Sequence, residues 1–405
     1  MNCHVCGVSI SPVINFGQMP IANNFQSNLS LDEYKFELAT GFCEPCALFQ
    51  IIEQPSPNKM FHSSYPFFTR LSTSMVEHFR YFAEDQIHNL RLLSPNPFVV
   101  ELGSNDGTFL INFAKANIQH IGIDPSKNVV DLAKSRGVNT LCAFFGEETA
   151  SFITSQHGLA DLIFGANVIC HLPDMRDLAK GIKLLLSPNG KFIFEEPYVG
   201  SMLEKVSFDQ IYDEHVFIFG VSSVARIFSK FGLELVDAEE QITHGGSMRY
   251  TLQHPGIGSK SLSLQRLEMQ ETKNFLHQLK PYMEFADKCV SKKLALVTLL
   301  TKLKNEGKRV AGYAATSKST TVLNYCGIGR DLIEFIVDST PEKQGKYAPG
   351  SHIPIISDTD DRVKGIDYFL LFAWNHQAEI MAKEHATGNT NFGWIVFVPE
   401  VKILD

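Results

Sequence analysis

The sequence predicts an α/β protein in three parts: a small cysteine-bearing N-terminal domain, a doubly wound parallel core, and a second α/β domain at the C-terminal end. Three observations predict it. Pro97-Phe98-Val99-Val100-Glu101-Leu102-Gly103-Ser104-Asn105-Asp106-Gly107 reads as a buried strand, a turn with two glycines and the start of a helix. Strand-like and helix-like segments then alternate, the pattern of a parallel sheet with crossover helices. Two C-x-x-C pairs precede all of this. With 405 residues, two or three domains are expected, and we place them at 1–65, 66–257 and 258–405.

Composition narrows the function classes. The hydrophobic fraction of 44% is that of a soluble chain with real cores. A net charge of -8 gives no electrostatic reason to bind nucleic acid. No apolar run approaches about 20 residues, so no membrane span is expected. Met1-Asn2-Cys3-His4 opens without the basic and apolar regions of an export signal, so a cytoplasmic chain is expected. The 8 cysteines of such a chain argue for thiols or metal, not for a disulfide framework.

Cys3-His4-Val5-Cys6 and Cys43-Glu44-Pro45-Cys46 each form a tight knuckle that presents two thiolates. Two knuckles complete a tetrahedral sulfur site for Cys3, Cys6, Cys43 and Cys46, which favours structural zinc because no coordination position stays open. His4 is read as a bystander. Between the knuckles, Phe16 to Phe25 is expected to be a turn-rich loop with exposed aromatics. Phe61 to Ser72 reads as a loop. Residue type leaves Tyr65 open between a substrate contact and a packing aromatic. Ser74 to Leu93 reads as a helix with Met75, Phe79 and Phe82 on one face.

The central turn follows. Phe98 to Val100 is apolar and β-branched enough for a covered parallel strand. Gly103 has no Cβ, so a ligand can approach the backbone there. Asp106 or Thr108 is expected to cap the next helix. The following strand, His120 to Ser126, ends on Asp124, an acid positioned to hold ribose hydroxyls. The turn is E-L-G-S-N-D-G, so the dinucleotide fingerprint G-x-G-x-x-G is missing and a nicotinamide oxidoreductase is disfavoured. Carboxylate and amide groups suit a cationic ligand without phosphate, which describes S-adenosylmethionine (SAM). Asp161 to Leu172 reads as a further strand, with Asn167 and His171 at its rim. SAM is expected at Glu101, Gly103, Asn105, Asp106, Asp124 and Asn167. Residue type leaves His171 open between a structural and a functional role.

Leu178 to Leu186 reads as a helix and Gly190 to Pro197 as a strand. Phe208-Asp209-Gln210-Ile211-Tyr212-Asp213-Glu214-His215 then sets titratable groups among aromatics. A histidine beside carboxylates in apolar surroundings suits a general base, and Tyr212 can donate to an oxyanion. A polar cluster on a surface turn is the bland alternative. Burial lowers the pKa of His215 and nearby acids raise it, so the sign stays open at this stage. His244-Gly245-Gly246-Ser247-Met248-Arg249 adds two glycines and a cation that suit an anionic or hydroxylated substrate. Gly258 to Gly307 reads as one or two long helices broken at Pro281. A second α/β unit follows. Strands are expected at Lys308 to Tyr313, Phe335 to Asp338, Tyr368 to Leu371 and Trp394 to Phe397. Between the first two, Ala314 to Thr321 is a small-residue turn entering a helix. Lys318, the hydroxyls and the helix N–H groups make a phosphate cradle.

Taken in order, these motifs resemble the SAM-dependent C-methyltransferases of nucleotide-linked deoxysugars. The resemblance covers nearly the whole chain. It runs from the cysteine pairs and Phe16-Gly17-Gln18-Met19-Pro20, through the glycine turn, to Tyr212-Asp213-Glu214-His215. It continues through His244 to Arg249 and Gly312-Tyr313-Ala314-Ala315-Thr316-Ser317-Lys318. It implies a zinc-bearing N-terminal domain, a Rossmann-like methyltransferase core, and a C-terminal α/β domain that helps hold the nucleotide sugar. It also implies a TDP-linked 4-keto-6-deoxysugar as substrate, methylated usually at C3. The family's proposed catalytic groups fall on Tyr65, His171, Tyr212, Glu214 and His215. His215 is the expected base, with Glu214 orienting or polarising it, and Tyr212 and His171 donating near the enolate oxygen. The family's tyrosine often sits in Y-P-Y, whereas this chain has Tyr65-Pro66-Phe67. Lys318 and Ser319 are expected near the pyrophosphate, with His244 and Arg249 also on the substrate.

Overall fold

A computed structural model describes residues 1–29, 32–61, 67–172, 174–386, 388 and 391–404. Tyr65 lies outside the described residues. Three sheets carry the architecture.

The central sheet has seven strands. Phe98–Leu102 lies at the centre of its five parallel strands, flanked by Gln119–Asp124 and Ala160–Ala166. Thr140–Cys142 extends one side, and Leu186–Pro197 extends the other. An antiparallel pair, Ser247–Gln253 and Glu234–Gln241, closes that edge. Phe98–Leu102 is buried along its whole length, Glu101 included, as a parallel strand covered on both faces should be. The predicted helix is Thr73–Leu93, and it buries Met75, Phe79 and Phe82.

The N-terminal sheet joins Ser11–Pro20, Lys35–Cys43 and Leu48–Ile51. Its fourth strand, Phe217–Ile218, comes from the far side of the chain, two residues after His215. The stretch expected as an exposed loop is therefore corrected. Much of it is strand, and Phe16 and Phe25 are buried. Phe16 packs edge-on to Tyr325, with ring centroids 4.8 Å apart. The aromatics looked exposed because their partners lie in a distant domain. The irregular register of this strand, with shifts around Asn15, had mimicked a turn.

The C-terminal sheet has six strands. Val310–Tyr313 and Tyr368–Leu371 form its centre, with Ile336–Val337 and Gly393–Val396 outside them. Two helices, Leu262–Lys273 and Lys280–Asn305, connect it to the core. Pro281 does not break this run as expected. It occupies the first turn of the second helix, where a missing N–H costs nothing. The break falls before it, at Phe275, which has a φ of 57°.

Candidate active site

A cavity of about 550 Å³ opens at the C-terminal edge of the central sheet, where open α/β sheets bind ligands. Gly103, Asn105, Asp124, Asn167 and His171 line its floor. Tyr212, Glu214 and His215 form one flank. Ser317, Lys318, Asn375 and His376 face them from the C-terminal domain, and Asn23 reaches in from the N-terminal domain. The site is thus built by all three parts of the chain.

The glycine turn is shaped by its neighbours as much as by a ligand. Gly103 has a φ of 64°, and a Cβ there would meet the Val168 side chain at 2.7 Å. Asn105 also adopts a left-handed conformation, at a φ of 46°. Its amide oxygen accepts from the N–H of Asp106 and of Thr69. The Asp124 carboxylate accepts from the backbone N–H of Asn105 at 3.0 Å and of Ser126 at 2.8 Å. Burial pushes its pKa up to about 6.

Two of the expected cofactor residues do not line this cavity. Glu101 lies beneath the turn, and its carboxyl reaches the N–H of Leu110 at the start of the next helix. Asp106 is fully buried. It accepts from the Thr108 hydroxyl at 2.6 Å and the Arg70 N–H at 3.0 Å. Neither Asp106 nor Thr108 caps the helix Leu110–Lys115, as had been expected. They brace the turn, and Glu101 serves the helix.

Arg249 and Ser319 also lie off the cavity wall. Arg249 is committed to Glu195, at 2.6 Å, and lies over the Phe82 ring. His78 takes the other carboxylate oxygen of Glu195, at 2.7 Å. Ser319 donates to the Thr316 carbonyl within its own helix cap. Lys318 does face the cavity, with its ammonium 3.3 Å from the Asn375 amide oxygen. Burial lowers its pKa, which Asp209 partly opposes. His244, at a φ of 51°, meets the Asn167 amide at 3.1 Å.

The segment around His215 is buried, which excludes a surface turn. His215 Nδ1 lies 2.7 Å from the Gln210 carbonyl oxygen. A carbonyl only accepts, so Nδ1 carries the proton and Nε2 is bare. The Tyr212 hydroxyl lies 2.7 Å from Nε2 and donates to it. Burial holds His215 well below the ordinary histidine range, and nearby His171 adds to this, so the ring is neutral. Burial and then Glu214 hold the Tyr212 phenol well above its usual value. His171 stacks on His215 at 5.5 Å, and burial pushes its pKa down to about 3. Its Nε2 has no hydrogen-bond partner among the described residues.

Several site residues were missed in the sequence. Glu196 accepts from the N–H groups of Val168, Ile169 and Cys170, and so shapes the loop bearing Asn167 and His171. Two acids inside the apolar strand Leu186–Pro197 were the available signal. Asn23 gave no such signal, and Ser317 gave only its place in the hydroxyl-bearing turn before Lys318.

In the N-terminal domain, Cys3, Cys6, Cys43 and Cys46 bring their sulfurs within 4.8 Å of one another. Cys6 and Cys43 are 3.6 Å apart. The Gln50 amide and the Val5 N–H point at the Cys3 sulfur. Four thiols this close repel once ionised, and a zinc ion relieves that repulsion. The donor set fits zinc, which these four residues would hold in a structural role.

Such a sheet and cavity, with an acid at the end of the second strand, define a SAM-dependent methyltransferase. Three family models match in order: a zinc binding domain at 3–61, a methyltransferase domain at 75–238, and a C-methyltransferase C-terminal domain at 242–399. The chain belongs to the C-methyltransferases. It is 32% identical over 407 aligned positions to C-methyltransferase NovU of Streptomyces niveus, covering 99% of this chain and 96% of that one. A SAM-dependent methyltransferase of Clostridium acetobutylicum ATCC 824 overlaps 45% of this chain and 92% of its own, with 13% identity and a TM-score of 0.35. One from Anabaena variabilis ATCC 29413 overlaps 42% and 82%, with 18% identity and a TM-score of 0.33. Among the described residues, no helix is long and apolar enough to cross a membrane.

Proposed function

We propose that the protein methylates C3 of a TDP-linked 4-keto-6-deoxysugar through an enolate formed in this cavity. The observation that supports it best is the Tyr212–His215 pair, a neutral base whose bare nitrogen is met by a hydroxyl. A carbon acid beside a ketone needs both: a base for the proton and a donor for the oxygen that gains charge. In the resting pair Tyr212 has only one proton, and it is given to His215. The substrate carbonyl offers that proton a second acceptor. When the hydroxyl turns to the carbonyl oxygen, Nε2 of His215 is freed. Nε2 then takes the C3 proton, the C–H electrons move to the C4 oxygen, and Tyr212 stabilises the charge. The Gln210 carbonyl keeps its bond to Nδ1–H throughout and steadies the imidazolium. His171 offers a second polar contact.

When bound, SAM supplies an electrophilic methyl group. Asp124, the backbone at Gly103, Asn105 and Asn167 would hold it. Losing a charged acceptor costs about 1.5–3 kcal/mol, or roughly 10–150-fold in affinity. Asp124→Ala is therefore expected to weaken SAM binding by that factor in calorimetry. Unchanged binding would remove Asp124 from the cofactor site.

Lys318 and the hydroxyl-rich start of its helix suit the pyrophosphate. Lys318→Ala is expected to raise KM for the nucleotide sugar and leave KM for SAM alone. Equal effects on both would reject a division of labour between lobes. A soluble substrate of this kind also fits a cytoplasmic enzyme. The decisive experiment is mass spectrometry of products from SAM and a panel of TDP-4-keto sugars. A gain of one methyl group is expected on at least one member, and no methylated product from any would sink the reading.

A further inference from the structure

We infer that Asn23, carried by the N-terminal domain, is a positioning residue that ties Glu214 to Ser317 and so holds the Tyr212–His215 pair in register. The inference rests on the C-methylation reading above. The Asn23 amide nitrogen donates to the Glu214 carboxylate at 2.7 Å. Its amide oxygen accepts from the Ser317 hydroxyl at 3.0 Å. A carboxylate only accepts, so the orientation of the amide is dictated by its partners. Ser317 also lies close enough to the Tyr212 side chain to act on its phenol. One short amide thus links a residue of the core to one of the C-terminal domain, and both touch the reacting segment.

The backbone beside Asn23 is clamped in the same way. The N–H of Ala22 donates to the Asp213 carboxylate at 2.9 Å. The carbonyl of Ala22 accepts from the Thr320 hydroxyl at 3.0 Å. Thr321 in turn donates to the Ile211 carbonyl at 2.8 Å. Residues 22 and 23 therefore act as a splint across 211–214. Glu214 needs such a splint. A carboxylate loose in the cavity would compete for the Tyr212 proton that the carbonyl oxygen must receive. Held at a set place, it keeps the phenol protonated instead, consistent with the upward shift Glu214 imposes on Tyr212.

The test compares Asn23→Ala, Glu214→Gln, Ser317→Ala and the Asn23→Ala/Glu214→Gln double variant. Asn23→Ala is expected to keep wild-type zinc content and SAM affinity while kcat falls about 10²-fold, the cost of a misplaced catalytic group. In the double variant, the second substitution is expected to add no more than about twofold to the first, because both remove one linkage. Ser317→Ala leaves the Glu214 contact in place and is expected to lose less. It also keeps the idea testable if Asn23→Ala does not fold.

Wild-type kcat in both Asn23→Ala and Ser317→Ala overturns the inference. So do losses that simply multiply in the double variant. If wild-type protein methylates no 4-keto sugar, the functional reading fails by itself, and ¹⁵N spectra of histidine-labelled protein still decide the role of Asn23. The His215 Nε2 signal, assigned by its loss in His215→Ala, is expected to shift in Asn23→Ala. An unchanged signal would mean that Asn23 positions nothing.

Discussion

His215→Ala is expected to lower kcat by about 10³-fold, in the middle of the range for loss of a general base, while SAM affinity stays at its wild-type value. The separation follows from geometry. His215 belongs to the flank with Tyr212 and Glu214, whereas Asp124 and Gly103 belong to the sheet edge. Exchange of the C3 hydrogen isolates the base from methyl transfer. In deuterated water without SAM, wild-type protein is expected to wash that hydrogen out, and His215→Ala is not. Tyr212→Phe should slow both exchange and turnover, because the enolate loses its donor. Exchange at the wild-type rate in His215→Ala would hand the role to another group, with His171 next in line.

The buried position of His215 also sets a pH signature. Its pKa is held below the ordinary value of about 6.5. As the proposed base, His215 is therefore neutral across neutral pH, and kcat should fall only on the acid side of 6.5. Stability follows with a definite sign. Below pH 6.5 the unfolded chain binds a proton at this residue that the folded chain refuses, so stability is lost as pH falls. Buried Glu196, pushed up to about 7, and Asp124, pushed up to about 6, act in the opposite sense. They are present in both proteins and cancel in the comparison. His215→Ala should therefore lose less stability than wild type between pH 7 and 5, as read by denaturant titration.

Removing the zinc is expected to unfold the N-terminal domain. Structural zinc contributes about 10–16 kcal/mol in zinc-finger peptides, against about 5–15 kcal/mol for a typical domain's whole stability. Cys43→Ser should lower the thermal midpoint by about 10 °C or more. Its effect on SAM affinity should be much smaller, since the residues proposed to hold SAM lie at the edge of the central sheet. Its effect on kcat should not be small. The sheet that begins at the cysteines ends on Phe217–Ile218, beside His215, and the same domain delivers Asn23 to the cavity. Metal analysis that finds no zinc in protein purified without chelator would contradict the assignment outright. A Cys43→Ser variant with wild-type melting would do the same for its structural role.

Much of this architecture was legible along the chain. Phe98–Leu102 could be read as a covered strand because its apolar, β-branched run is a local property. The place of Asp124 at the end of the next strand was legible because one strand spacing separates it from the glycine turn. The cysteine pairs were legible because a two-residue spacing closes a knuckle wherever it stands. Misreadings came where a partner lay far away. Phe16 looked exposed until Tyr325 covered it. Pro281 looked like a break, although the chain had already turned at Phe275.

The amino-acid sequence by itself determined the fold class, the thiol cluster and the family of chemistry, because periodicity, turn residues and short spacings act over a few residues. Tertiary structure decided which nitrogen of His215 is bare, which acids face the cavity and which lie beneath it, and which residue of the N-terminal domain reaches the site. Asn23 meets Glu214 across 191 positions of chain and Ser317 across 294. No local pattern encodes such a meeting. Those hydrogen bonds are set by where three parts of the chain come together in the fold.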